Sequence, residues 1–463
     1  MSSSSRRKFI RQLSTAGLAM TAGSFNILKA NTGIREEILP MPQRFSANDR
    51  IRVGLIGTGI MGNADISTAL KIPGVEFVAA CDLYKGRLTA VQEKYGNQVF
   101  TTRDYRELLA KKDIDAVIIG TADLWHSRIS IDAMNMGKHV YCEKPMVKEI
   151  SQGHGVIETA KKTNKVIQIG SQGISGLVHL KAKELYEAGE IGKLNCIDAS
   201  IDRHSAMGAW QYTIPSDASP ETVDWDRYIA GLPKQPFDAK KFFRWRNYRE
   251  FGTGAAGDMF VHLLTEIHMI TGSKGPSRIY CNGQLSYWKD GRDVPDVMNA
   301  LMDYPETPEH PAFQVNLRLN FASGVGDGYR LRFIGDEGAM EIGDDLTITH
   351  DLLPKAPGIG YWDALGTYPK AMQDNLQKAY DEKYTAADKA KPTKDPIRYK
   401  APEGHDEHVE HFKNFFNAVR TGGKVVEDAV FGFRAAAPCL ACNESYFHKK
   451  LVNWDPVAMK LVV

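Results

Sequence analysis

A chain of 463 residues is long enough for two or three domains at roughly 100–200 residues each. Hydrophobic residues are 43% and charged residues 25%, which excludes a disordered or collagen-like chain, and no run of about 20 apolar residues offers a transmembrane helix. The net charge is +2, but Arg6, Arg7, Lys8, Arg11 and Lys29 fall in an acid-free opening; the remainder, 53 basic against 56 acidic residues, has no electrostatic reason to hold nucleic acid or an anionic membrane.

The chain opens Ser5-Arg6-Arg7-Lys8-Phe9-Ile10 and continues through a soft Ala/Gly/Leu run to Leu28. A charged start before a short, modestly apolar segment resembles a twin-arginine export signal more than a membrane span. Residues 1–30 are read as that signal and 31–47 as a linker, which implies a periplasmic protein exported already folded. No cysteine precedes Cys81, so no membrane anchor is expected after signal removal. The six cysteines are too sparse for a disulfide framework; Cys439 and Cys442, one helical turn apart in an Ala-rich pattern, read as core.

From Ile51 the pattern becomes regular, and 48–171 reads as one domain. A short apolar strand, 51–56, runs into Gly57-Thr58-Gly59-Ile60-Met61-Gly62, and a helix is expected over 64–70. This is GxGxxG in a strand–turn–helix setting. Gly57 permits the tight turn, Gly59 lets backbone approach a pyrophosphate, Gly62 lets helix and strand pack, and free N–H groups of the helix face the phosphates. A second strand, 75–80, leads to Asp82, twenty residues after Gly62. An acid there accepts from a ribose 2′-hydroxyl and repels a 2′-phosphate, so NAD is expected over NADP, with Lys85 and Arg87 softening the preference.

Helices at 83–95, 105–111, 127–136 and 151–163 alternate with strands at 115–119, 139–142 and 166–170. That order implies a doubly wound parallel sheet whose ligands lie beyond the strands' C-terminal ends. Those ends carry Thr121, Asp123, Glu143, Lys144 and Gln172. Lys144 follows a buried strand and precedes a proline. Beside a cationic nicotinamide it would hold its charge less readily and could polarise or deprotonate a hydroxyl.

At this point the chain resembles the Gfo/Idh/MocA family, named for glucose–fructose oxidoreductase, inositol dehydrogenase and a rhizopine-catabolism protein. The residues that carry the resemblance are the glycine turn, Asp82, Thr121-Ala122-Asp123-Leu124-Trp125-His126, and Gly137-Lys138-His139-Val140-Tyr141-Cys142-Glu143-Lys144-Pro145, whose end is close to the family's EKP signature. The resemblance implies cofactor contacts at Gly57–Gly62, Asp82, Thr121, Asp123, Trp125, His126, Glu143, Lys144 and Gln172. It also implies a second, α+β domain over 172–463 with an open-faced, mostly antiparallel sheet that supplies the carbohydrate site and mediates a homo-oligomer, dimer or tetramer.

The family's substrate segment corresponds to Gly252-Thr253-Gly254-Ala255-Ala256-Gly257-Asp258-Met259-Phe260-Val261-His262. Asp258 and His262, four apart, share a helix face, and the Asp258 charge is expected to favour an imidazolium at His262. Lys144, Asp258 and His262 are assigned to catalysis, and Lys144, Arg203, Trp245, Asp258, His262 and Thr265 to the substrate. Two departures from the family stand out. Thr265 occupies the place of another aspartate, with Glu266 next, and Phe260 replaces a glycine. Trp245, in Phe243-Arg244-Trp245-Arg246-Asn247-Tyr248, is either a sugar-stacking ring or core.

Residues 354–402, rich in Lys, Ala, Asp, Tyr and Pro, read as an insertion or long loop with a helical patch near 371–384, either covering the site or a solvated decoration. Closing helices between 406 and 450 are expected to pack back on the first domain. His405, His408 and His411, three apart, drift around a helix without an acid or cysteine to complete a metal site, so no metal is assigned. Three functions follow from the resemblance. The first is an NAD-dependent oxidoreductase acting on a hydroxyl or keto group of a sugar, glycoside or polyol, with tightly held, recycled cofactor. The second is an NAD-dependent glycosidase, a branch that typically lacks the EKP lysine kept here. The third is a non-catalytic carbohydrate sensor, against which Lys144, Asp258 and His262 argue.

Overall fold

The structure is a computed structural model and describes residues 50–462. The expected signal peptide and linker lie outside the described residues. Six strands, β1 (Ile51–Ile56), β2 (Val75–Cys81), β3 (Phe100–Thr102), β4 (Ala116–Ile119), β5 (His139–Glu143) and β6 (Ile167–Gly170), form a parallel sheet in the order β3-β2-β1-β4-β5-β6. β4 and β6 are buried throughout, and β1 and β5 at all but one position each, as strands covered on both faces must be. Helices α1 (Ile60–Ala69), α2 (Lys85–Tyr95), α3 (Tyr105–Leu109), α4 (His126–Asn135) and α5 (Gly153–Thr163) make the crossovers. Strand order reverses between β1 and β4, which opens a crevice at their C-terminal ends. α1 begins directly after Gly59, four residues ahead of the expected start, because Gly62 continues the helix.

The second domain follows through α6 (Leu177–Glu187), β7 (Leu194–Asp202), the short helices α7 (Trp225–Tyr228) and α8 (Ala239–Phe243), and α9 (Val261–Thr271). Then come β8 (Arg278–Gln284), β9 (Val297–Tyr304), β10 (Phe313–Asn320), β11 (Gly328–Gly335), β12 (Gly338–Ile342) and β13 (Asp345–His350). The chain closes with α10 (Lys370–Lys383), β14 (Ile397–Lys400), α11 (Glu407–Thr421), α12 (Ala429–His448), β15 (Val452–Asp455) and β16 (Lys460–Val462). Ten strands pair in the order β14-β13-β12-β11-β7-β10-β9-β8-β15-β16, antiparallel except for β7 with β10. Alternation sorts the two faces: in β10, Phe313, Val315, Leu317 and Leu319 are buried while Gln314 and Arg318 are exposed. α12 packs on β8, and α9 on α6 and α12, so helices cover one face. The other face is open and carries exposed Tyr280 and Leu301.

The two domains share a core. Phe412, Phe415 and Phe416 of α11 are fully buried against Ile51, Val53, Leu55, Ile66 and Tyr141 of the first sheet. Each such phenylalanine contributes about 1.5–3 kcal/mol of burial, and the Phe412 ring stacks on Tyr141 at 4.2 Å. The 354–402 segment holds the exposed α10 and adds β14 to the sheet edge beside β13.

Candidate active site

A cavity of about 860 Å³ runs from the glycine turn to the start of α9, between the domains. At its first end Gly57 has φ +90°, and a Cβ there would lie 2.6 Å from the Gly120 carbonyl oxygen. A Cβ on Gly62 would fall 1.9 Å from the Gly57 carbonyl oxygen, so α1 is pressed on the turn. Gly59 differs: a Cβ there meets nothing nearer than the Arg87 guanidinium at 3.8 Å. The protein therefore leaves open the space above Gly59, where α1 offers N–H groups with no side-chain cap and no acid in its first turn. This cradle fits a dinucleotide pyrophosphate.

Asp82 lies beside the turn. Its carboxylate accepts from the Thr58 amide (2.9 Å), the Thr58 hydroxyl (3.2 Å) and the Tyr84 amide (2.9 Å), with Arg87 at 3.4 Å. Gly57, Gly59, Ile60, Met61 and Asp82 line the cavity; Thr58 and Gly62 do not, and act by fixing Asp82 and the helix packing. Thr121, Asp123, Trp125, His126, Glu143, Lys144 and Gln172 line it as well. Several are committed to protein partners. Asp123 accepts from the Thr253 amide and hydroxyl at 2.9 and 2.8 Å, and the Trp125 indole donates to the Tyr228 carbonyl at 3.1 Å, so both tie the domains together. Gln172 donates to Glu143 at 2.7 Å and to Tyr141 at 2.9 Å. Burial pushes the Glu143 carboxyl up, against Lys144 and Gln172. His126 is buried with both ring nitrogens facing carbonyl oxygens, Pro145 at 2.8 Å and Thr121 at 3.2 Å. Burial opposes its charge, but Cys142, then Asp123 and the Pro145 carbonyl, push it up to about 10.

At the second end, the segment Ala256–Phe260 forms a π-helical turn ahead of α9, a departure from α geometry that is frequent at functional sites. The Lys144 Nζ donates to the Asp258 backbone carbonyl at 3.0 Å and to its Oδ1 at 3.1 Å. Arg246 Nε donates to the same Oδ1 at 3.1 Å. Burial alone would raise the Asp258 carboxyl, but Lys144 and then Arg246 outweigh it and hold it well below the usual range. His262 lines the cavity one turn on. Burial, then Lys144, push its imidazole down to about 3, while Asp258 acts in the opposite direction without prevailing.

Two expectations are corrected here. Asp258 does not hold His262 as an imidazolium: its carboxylate is spent on Lys144 and Arg246, and His262 is neutral. Thr265 is not a substrate contact: it is fully buried, lies off the cavity, and donates to the Val261 carbonyl at 2.6 Å. The neighbouring Glu266 also turns away, to His179 at 3.1 Å and to the Tyr329 hydroxyl.

Arg203 and Trp245 line the cavity. One face of the Trp245 indole carries the Arg246 guanidinium at 4.1 Å. Arg246, Tyr212 and Trp210 also line the cavity and were not singled out from sequence; only the Trp-Arg pairing at 245 and 246 offered a signal. Trp210 has φ +63°, a left-handed conformation that is uncommon in a non-glycine residue and concentrates at functional sites. No residue of 354–402 lines the cavity, and His408 alone of the three spaced histidines does. His405 accepts from the Leu177 amide, and His411 contacts Ser175 and the Ile169 carbonyl.

A parallel sheet with a glycine cradle at its switch point, joined to an open-faced antiparallel sheet, defines a two-domain nicotinamide dinucleotide-binding fold. Residues 51–171 match the Gfo/Idh/MocA profile, described as "Oxidoreductase family, NAD-binding Rossmann fold". An inositol 2-dehydrogenase of Salmonella typhimurium is 32% identical over 145 residues, which are 31% of this chain and 43% of the relative. A glycosyl hydrolase family 109 protein of Shewanella baltica is 30% identical over 205 residues, 41% of this chain and 44% of the relative. The match thus spans less than half the length of either curated relative. The solved structure of a levoglucosan dehydrogenase in complex with NADH and levoglucosan has the same fold, with a TM-score of 0.61, 19% identity, and coverage of 87% of this chain and 99% of that one.

Proposed function

We propose that the protein is an NAD-dependent oxidoreductase of a sugar, glycoside or polyol hydroxyl. The observation that carries this reading is the meeting of Lys144, Asp258 and His262 at one end of a cavity whose other end is the Gly59 cradle. Bound NAD would supply the hydride acceptor, held by the glycine turn, Asp82 and the α1 N-terminus. Neutral His262 accepts the substrate hydroxyl proton at an imidazole nitrogen. Lys144, fixed at Nζ by two oxygens of Asp258, donates to the substrate oxygen and orients it. Asp258 is a positioning residue that holds both Lys144 and Arg246. The chain buries this end between the domains, which restricts water.

Export by the twin-arginine route, a periplasmic location and assembly through the open sheet face belong to the same reading. Outside the cytoplasm spent cofactor has no ready exchange, so NAD is held tightly and recycled by a second carbonyl substrate. Denaturing the purified protein and assaying the supernatant for NAD(H) and NADP(H) tests this: near-stoichiometric NAD supports it, and an empty protein that needs added cofactor contradicts it. The glycosidase likeness favours a second reading, in which transient oxidation leads to aglycone release. Lys144 argues for the dehydrogenase, and assay of glycosides for keto-sugar against free aglycone separates the two.

A further inference from the structure

At the substrate end one cation, Arg203, is left without a carboxylate partner. Lys144, Arg203 and Arg246 all line it; Asp258 serves Lys144 and Arg246, Glu143 on the same wall accepts from Gln172, and no carboxylate pairs with Arg203 among the described residues. Asp123, also on the wall, is turned to Thr253. At the dinucleotide end the cations are matched: Arg87 with Asp82 at 3.4 Å, Arg103 with Asp224 at 3.7 Å, and Arg227 with Asp224 at 2.6 Å. Arg203 makes no ion pair among the described residues. It donates from one terminal nitrogen to the Gly208 carbonyl at 2.8 Å, which leaves Nε and the other terminal nitrogen. Arg246 spends Nε on Asp258 and keeps both terminal nitrogens. The excess is felt locally, since Lys144, Arg203 and Arg246 all disfavour a proton on His262.

These donors are built in place. The Arg203 amide donates to the Asn320 carbonyl at 2.8 Å, and the Arg203 carbonyl accepts from Ser323 at 3.1 Å. Arg292 and Arg244 donate to the carbonyls of Ala209 and Tyr212, both at 2.7 Å, so the segment carrying Arg203 and Tyr212 is pinned along its length. Two guanidinium groups, Arg203 tied to the Gly208 carbonyl and Arg246 to Asp258, on a cavity wall that Tyr212 also lines suit a planar, two-oxygen anion, for which arginine geometry is matched.

We propose that the sugar taken by this cavity carries a carboxylate, as a uronate or aldonate does, seated by Arg203 and Arg246 with Tyr212 while its reacting hydroxyl faces Lys144 and His262. The proposal rests on the oxidoreductase reading for the second half of that statement only. The cavity as a whole then holds an anion at each end: the pyrophosphate at Gly59 and the carboxylate at Arg203.

The test is calorimetric titration of the NAD-loaded protein with matched pairs (glucuronate and glucose, galacturonate and galactose, mannuronate and mannose), with the corresponding 6-phosphates as a third arm, and turnover followed in parallel. At least one uronate is expected to bind about tenfold to hundredfold more tightly than its neutral partner, the range of a charge-assisted hydrogen bond. That advantage shrinks as salt is raised, collapses in Arg203→Gln, and is partly kept in Arg203→Lys. Equal or tighter binding of the neutral sugars, preference for a 6-phosphate, no binding of any uronate, or an advantage that survives Arg203→Gln each overturns the proposal. Uronate binding that depends on Arg203 without turnover of any sugar upholds the carboxylate site and overturns the oxidoreductase reading instead.

Discussion

Lys144 and Asp258 stand 114 residues apart in the chain and meet at 3.1 Å, Nζ to Oδ1, across the two domains. The pair converts a loop lysine and a buried acid into one fixed donor on the cavity wall. Lys144→Met is expected to lower kcat about 10²–10⁴-fold, the range of a positioned proton-handling group. Lys144→Arg is not expected to restore it, because a planar guanidinium cannot replace a point donor. Asp258→Asn is expected to cost a similar amount by releasing Lys144 and Arg246 together. Steady-state kinetics on the three variants checks this, and a Lys144→Met enzyme within threefold of the parent contradicts it.

The protonation state of His262 gives a pH prediction. Its folded-state value, about 3, lies below the ordinary 6.5. The imidazole is therefore neutral across pH 5–8, and kcat/KM carries no acid limb from His262 above about pH 4. The same depression makes stability contributed by neutral His262 fully present above 6.5 and lost as pH falls toward 3. A limb near pH 6.5 that disappears in His262→Gln would show that the residue is protonated in the resting site.

Gly59 and Gly62 are expected to separate binding from folding. A Cβ on Gly62 collides with the Gly57 carbonyl oxygen, so Gly62→Ala destabilises by roughly 1–3 kcal/mol. A Cβ on Gly59 touches no protein atom closely, so Gly59→Ala keeps the parent melting temperature within about 0.5 kcal/mol of stability. It nonetheless weakens dinucleotide binding at least about tenfold, since the methyl occupies the cradle. Thermal melts and cofactor titration on the two proteins measure both effects, and parent-like affinity in Gly59→Ala would place the pyrophosphate elsewhere.

Most of the first domain was legible because its signals are local. Apolar runs of four to seven residues, a six-residue glycine turn and an acid at the next strand end all lie within one βαβ unit. β3 was not legible, because three residues hold no pattern. At the substrate end, Lys144 was read from its place at a strand end before a proline, whereas the roles of Asp258 and His262 came from the family segment. The family correspondence placed Thr265 at the substrate, whereas it faces its own helix, and i, i+4 spacing gave Asp258 the wrong partner. Tyr212 reaches the site from an irregular segment held by a side chain-to-carbonyl bond and Arg246 from a three-residue turn, and the left-handed Trp210 is invisible in a sequence where no glycine marks it.

Glu427 offers a stability test away from the chemistry. It is wholly buried, accepts from the Ser171 amide at 3.2 Å and hydroxyl at 3.1 Å, and burial pushes it up to about 8 against those two bonds. Its folded value exceeds the ordinary 4.5, so its stabilising contribution is complete below pH 4.5 and is lost as pH rises through 8. Glu427→Gln is expected to be less stable than the parent at pH 4.5 by about 1 kcal/mol, for one lost acceptor. Above pH 8, where the parent must bury a charge, the variant becomes the more stable. Melting curves that run parallel across this range contradict the assignment.

The central claim is that this cavity moves a hydride between a sugar and NAD. The most direct measurement is isotopic: incubate the protein with a panel of ring-deuterated neutral and acidic sugars, release the cofactor by denaturation, and examine the nicotinamide by mass spectrometry. The account predicts singly deuterated NADH from at least one sugar, and its loss in Lys144→Met. Conversion of a sugar to product with no deuterium reaching the nicotinamide from any substrate contradicts it.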